Sequence, residues 1–200
     1  MASAEQILDE LTAGNTRFQQ GTTSPKRWQG PEAVRVQKPK AIVLGCSDSR
    51  VPIEMIFDQG PGDLFIVRVA GNIAAPSQIG SIEFAVTQFD VSLIIVLGHT
   101  RCGAINASVQ ALQDGTAGIS DNLRSIVDRI GPNIHHLVDA KAATPSSLSN
   151  QCMSANVLAS VKNIEQASVS LQQRTTQGLL TICGAYYDLD DGGVRFLSDP

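Results

Sequence analysis

Cys46, His99 and Cys102 are the residues whose types and spacing could do chemistry, and Asp48 and Arg50 stand beside the first of them. Two thiolates and an imidazole are donors that zinc accepts readily. Three protein donors leave one tetrahedral position open, the arrangement of catalytic rather than structural zinc, so one Zn2+ per chain is the expectation. Taken singly, each residue has an ordinary reading. A cysteine after a buried strand is small and apolar, Asp48 could cap a turn, and Arg50 could be a surface charge. Their concentration at the ends of two apolar runs makes coincidence a poor explanation.

Cys46 and His99 lie 53 positions apart (99 − 46), too far for a local finger or ribbon. Two neighbouring strand ends can bring them together. Residues 41–45, 64–67 and 93–97 are short continuous apolar runs, as expected of strands buried on both faces. Between the last two, residues 77–89 place Ile79, Ile82 and Val86 at helical spacing. Strand, helix and strand in succession predict a parallel sheet with right-handed crossovers, and such sheets bind ligands beyond the carboxyl ends of their strands. Cys46 and His99 both fall there, and His99 and Cys102, at i and i+3, can donate from one turn.

The remaining pattern completes an α/β fold: a mainly parallel central sheet flanked by helices, with an N-terminal helical arm and a C-terminal edge hairpin. Residues 4–20 read as a helix capped by Ser3, with Gly14-Asn15 as an interruption or junction. Residues 21–39 read as a surface loop whose Trp28 is a packing or interface anchor. Helices are expected over 104–112, over 121–141 with a break at Gly131-Pro132, and over 148–173. A strand at 179–186 and a turn at 190–193 then lead into 194–197. The chain of 200 residues reads as one domain over 1–200, in which 1–35 form the arm and loop.

Composition removes several classes of function. A formal net charge of −4 offers no general attraction to nucleic acid or anionic membranes. No apolar run approaches the ~18 residues of a membrane span, and the first ten residues lack a basic start and a signal-like stretch, so a cytoplasmic protein is expected. Cys152 and Cys183 read as free buried thiols.

At the signature residues the chain resembles the β-class carbonic anhydrases, whose Cys-x-Asp-x-Arg and His-x-x-Cys motifs both occur unaltered. The likeness extends through Gln37 to Arg50, Phe57 to Phe65, Val67-Arg68, Ala70-Gly71-Asn72, Gly80 to Glu83 and Val96 to His99, and it covers the 11–18 segment and the closing hairpin. It implies reversible hydration of carbon dioxide to bicarbonate and a proton. Zinc lowers the pKa of a bound water toward ~7, although two thiolates offset part of its charge. The resemblance assigns Asp48 to accept the nucleophile's proton, and Arg50 to hold Asp48 ionised and away from the metal.

Further roles follow from the same resemblance. Gln37 corresponds to a glutamine whose amide reaches the substrate, often across a dimer interface, and Phe65 to an apolar pocket wall. Phe84 stands where many relatives carry tyrosine, and Gly103 offers a backbone N–H or permits the turn. Val43 replaces the tryptophan that one branch uses for an inhibitory bicarbonate site, so that regulation is expected to be absent. Arg68-Val69 replaces a common Arg-Asn, which removes a local hydrogen bond. His135 and His136 read as surface residues rather than proton shuttles. A homodimer or homotetramer is implied. Carbonyl sulfide or carbon disulfide hydrolysis on the same scaffold is the nearest alternative, and a non-catalytic zinc or thiol redox sensor is a more distant one.

Overall fold

Ala41–Gly45 (β1) is buried at every position because it lies in the middle of the sheet, between Leu64–Arg68 (β2) and Leu93–His99 (β3). The computed structural model describes residues 2–24, 37–140 and 144–197; Trp28 and most of the 21–39 loop lie outside them. Thr181–Tyr187 (β4) pairs parallel to β3, and Val194–Phe196 (β5) closes the edge antiparallel to β4. The order β2-β1-β3-β4-β5 is thus mainly parallel with one antiparallel edge strand, as the apolar runs predict.

The pleat divides the strand side chains between two cores. Ile42, Leu44, Ile94 and Val96 face the helices Pro76–Phe89 (α3), Gly103–Asp114 (α4), Asp121–Asp139 (α5), Pro145–Ala167 (α6) and Val169–Thr176 (α7). Ala41, Val43, Leu93, Ile95 and Leu97 face Ala4–Gln19 (α1) and the short Ile53–Ile56 (α2). Each large aliphatic side chain buried this way contributes about 1.5–3 kcal/mol relative to exposure.

Chain direction at the sheet centre explains where a site can form. From β1 the chain moves outward to β2, and from β3 it moves the other way to β4. The carboxyl ends of β1 and β3 therefore flank the switch point, where diverging connections leave a crevice. Gly98, next to the last residue of β3, lets α6 approach closely: a Cβ there would lie 2.6 Å from Val157 Cγ2 and 2.9 Å from Met153 Sδ.

Three expected helix boundaries are corrected. Gly14-Asn15 does not interrupt α1. A Cβ at Gly14 would lie 2.0 Å from the Phe57 carbonyl oxygen, and buried Asn15 donates to the carbonyls of Ile56 and Gly192. These two residues dock the helix rather than end it. The break expected at Gly131-Pro132 is also absent, for Ile130 and Ile134 are fully buried on either side and hold α5 together against the proline penalty of ~3 kcal/mol. Conversely, the expected 148–173 helix begins at Pro145 and is cut at Ser168, whose extended backbone and side chain cap α7 through Leu171 N–H. The short α2 and the Ala70–Asn72 3-10 turn were not expected.

Candidate metal centre

Cys46 follows β1, His99 ends β3, and Cys102 is the N-cap of α4. The switch point thus gathers one donor from each of three elements, and their ligand atoms all lie within 4.8 Å of one another. All three residues are buried, and the two sulfurs are 4.0 Å apart.

The orientation of His99 is fixed by its other nitrogen. Nδ1 lies 3.0 Å from the Thr100 carbonyl, which can only accept, so Nδ1 carries the proton and Nε2 keeps its lone pair. That Nε2 is buried and has no hydrogen-bond partner among the described residues. An orphaned acceptor in a dry site is costly unless something electrophilic occupies the space before it. With two thiols alongside, the donor set fits zinc.

Thr100 is itself pinned to the hairpin loop: its N–H donates to the Tyr187 carbonyl, and its hydroxyl accepts from Leu189 N–H at 3.0 Å. The turn between β3 and α4 is made at Arg101, a non-glycine residue at φ 57 whose guanidinium pairs with Asp190 at 2.8 Å. Gly103 starts α4 without a positive φ, and a Cβ there would meet nothing within 4 Å, so it is not needed to permit the turn.

Asp48 stands beside this group with one carboxylate oxygen 3.9 Å from His99 Nε2. Arg50 occupies both of its oxygens, Nε donating to Oδ1 at 2.9 Å and Nη2 to Oδ2 at 2.7 Å, while the Arg50 backbone N–H adds a third bond to Oδ1. The guanidinium holds the Asp48 carboxyl well below the usual carboxylate range, and Asp48 in turn raises Arg50. Arg68 braces the loop from below, donating from Nε to the Cys46 carbonyl at 2.9 Å and from Nη2 to the Asp48 carbonyl at 2.7 Å.

The two thiols titrate as a pair. A hydrogen bond from Cys102 favours the Cys46 thiolate and, with the Gly71 and Asp48 backbone, overcomes burial and lowers the Cys46 pKa. Cys102 is correspondingly raised, first by that same bond and then by burial and the Cys46 charge, although the Ala104 and Ile105 N–H groups of α4 oppose the rise.

Other expected residues fall elsewhere. Gln37 is exposed at the opposite end of β1 from Cys46. Phe65 pairs with Ile42, four positions before Cys46 and so ~13 Å down the strand. Phe65, Phe84 and Phe89 form an aromatic cluster with ring centroids 6.2–6.3 Å apart, and Phe84 is 54% exposed. None of them joins the metal centre within one chain. His135 and His136 lie exposed on α5, while Cys152 and Cys183 are buried free thiols. The Arg68 brace and the Gly71 N–H to Cys46 were missed as site features; only the run through Val67-Arg68 and Ala70-Gly71-Asn72 pointed at them.

An α/β sheet with a Cys-His-Cys group that could hold a metal ion at its switch point, beside an arginine-clamped aspartate, is the class of fold and site in this chain. Residues 41–194 match the model of the carbonic anhydrase family. The chain is 42% identical over 156 residues to carbonic anhydrase 2 of Mycobacterium tuberculosis H37Rv, covering 78% of this chain and 73% of that one. It is 40% identical over 192 residues to the carbonic anhydrase of Mycolicibacterium smegmatis, covering 94% and 90%. The solved structure of the β-carbonic anhydrase CafA of Aspergillus fumigatus superposes with a TM-score of 0.70 at 30% identity, over 82% of this chain and 78% of that one. This chain belongs to the β-class carbonic anhydrase family.

Proposed function

We propose that the protein catalyses the reversible hydration of carbon dioxide to bicarbonate and a proton, with one Zn2+ held by Cys46, His99 and Cys102. The reading is carried by the convergence of the unpartnered His99 Nε2 with two buried sulfurs, next to a carboxylate that is ionised and held off them. Bound there, zinc would supply the Lewis acidity that brings the pKa of a water in its fourth position toward ~7.

Asp48, acceptor-only and within reach of His99 Nε2, takes a hydrogen bond from the attacking oxygen and turns its free lone pair toward the substrate carbon. The same preference disfavours a ligand with no proton to give. Arg50 keeps Asp48 ionised, and by engaging both oxygens keeps it from becoming a fourth metal donor. Arg68 holds the backbone that carries both Cys46 and Asp48. Gly103, at the uncapped start of α4, offers its N–H to the oxygen that gains negative charge.

Gln37, Phe65 and Phe84 serve a neighbouring copy. They lie at or near the outer strand β2 and its amino-terminal approach, and the half-exposed aromatic cluster gives a second subunit an apolar surface to cover. A homodimer, alone or paired into a tetramer, therefore completes each site. Val43 is buried in β1 and gives no indole for an inhibitory bicarbonate site. No described helix is long and apolar enough to cross a membrane. Two close thiols that must stay reduced to bind metal favour a cytoplasmic setting.

Zinc content and stopped-flow hydration test the proposal together. About one zinc per chain, with activity lost on chelation and restored by Zn2+, supports it. Faster turnover of carbonyl sulfide than of carbon dioxide on the same preparation would reassign the substrate. Absence of bound zinc with a reversible Cys46–Cys102 disulfide would replace catalysis by thiol redox sensing.

A further inference from the structure

Gly71 sits in the Ala70–Asn72 turn at φ 71 and ψ 17, a left-handed conformation that points its two polar groups at different partners. Its N–H donates to Cys46 Sγ at 3.4 Å. Its carbonyl accepts from Nδ2 of Asn156 at 2.8 Å, across 85 positions of sequence. Asn156 is fully buried on α6, on the same stripe as Cys152, Met153, Val157 and Ser160, where a side-chain amide is costly unless its atoms are bonded. Its Oδ1 accepts from Asn133 Nδ2 at 3.1 Å, and the Asn133 amide also donates to the Arg129 carbonyl one turn back on α5. One chain of hydrogen bonds thus runs from α5 through α6 and Gly71 to a candidate metal donor.

We propose that Asn156 is a positioning residue for the metal centre: it holds Gly71 so that the Gly71 N–H bears on the Cys46 sulfur, with Asn133 as the outer support. The proposal rests on the zinc reading given above. A hydrogen bond to a thiolate draws charge from the sulfur, so less is donated to the metal and more of its acidity remains for water. This matters most where two thiolates already offset the charge of Zn2+. Glycine does not fix its own dihedral angles, and a side chain cannot do so here, since a Cβ at Gly71 would lie 2.7 Å from Ile130 Cδ1. The restraint comes from outside the turn, and Asn156 provides it.

Cobalt substitution tests the inference with readouts that packing alone would not move. Co2+ is bound to wild type, Asn156→Ala and Asn133→Ala, and its affinity is measured by chelator competition alongside the sulfur-to-cobalt charge-transfer band. Asn156→Ala is expected to shift the band to lower energy, because an undamped thiolate gives up an electron more easily, and to weaken Co2+ by ~10–100-fold, since the loss of a fixed position for the Cys46 donor outweighs its stronger donation. Asn133→Ala is expected to move both in the same direction by less. Band energy and affinity unchanged in a folded Asn156→Ala would overturn the proposal. Where that variant does not fold, unchanged values in Asn133→Ala overturn it instead. Failure of the wild type to bind one Co2+ per chain would overturn the zinc reading itself, a separate outcome.

Discussion

Asp48 spends both carboxylate oxygens on Arg50, at 2.9 and 2.7 Å, although one of those oxygens is only 3.9 Å from His99 Nε2. The geometry holds an anion beside the candidate metal donors without letting it reach them. Arg50→Ala frees it, and Asp48 is then expected to turn onto the metal as a fourth donor. Hydration should fall by on the order of 10²-fold in stopped-flow assays while zinc stays bound. Arg50→Lys keeps the charge but not the fork and should recover only part of the loss. Full activity in Arg50→Ala would sink the clamp.

Removal of a donor is expected to cost metal before it costs fold. Cys46→Ser and His99→Ala should each lose stoichiometric zinc, and their hydration activity should drop to background. Wild type should lose thermal stability on chelation, by up to ~4 kcal/mol relative to free zinc a thousandfold above its dissociation constant. Melting with and without chelator measures this; an unchanged midpoint in wild type would mean that the three residues bind no metal.

Gly71→Ala places a side chain at φ 71 and against Ile130. Strain at such a position costs on the order of 1–3 kcal/mol, with overpacking added to it. Urea unfolding should show that loss. Stability equal to wild type would mean the turn relaxes freely.

Alkaline pH offers a test that does not touch the site. Burial pushes the Cys183 thiol up to about 12. An unfolded chain releases that proton near ~8.5, so between there and the native value the unfolded state holds fewer protons and stability falls as pH rises, by up to ~1.4 kcal/mol per unit. The contribution is fully present below the unfolded pKa. Cys183→Ala should be less stable at neutral pH yet lose less stability between pH 8.5 and 10.5, which urea titrations at several pH values would detect.

The aromatic cluster is expected to fail as an interface when charged. Phe84→Glu should raise the dissociation constant of the assembly, and activity should become dependent on protein concentration, as sedimentation velocity and dilution assays would show. Gln37→Ala should reduce kcat/KM without changing zinc content. Monomeric wild type with full activity at nanomolar concentration would remove the proposal that a second copy completes the site.

The donors, the clamp and the sheet were legible because each is a local pattern. A Cys-x-Asp-x-Arg segment after an apolar run states its chemistry in five residues, and buried parallel strands show as unbroken hydrophobic stretches. Helix continuity was less legible. Gly14-Asn15 and Gly131-Pro132 carry the residues that ordinarily stop helices, but docking of α1 onto α2 and the hairpin, and burial of Ile130 and Ile134, outweigh local propensity. Asn156 left only a faint trace, a polar residue on an otherwise largely apolar stripe of α6.

The sequence by itself determined which atoms could bind a metal and which carboxylate stood next to them, since residue type and short spacing decide that chemistry. Only the tertiary structure decided the tautomer of His99, the brace from Arg68, the placement of Gln37 and Phe65 away from their own chain's centre, and the link from Asn156 to Cys46. Each of these depends on backbone groups or on partners 20 to 85 positions away. The reason is physical: hydrogen bonds are set by direction and distance in space, and those are fixed only when the sheet and helices have packed.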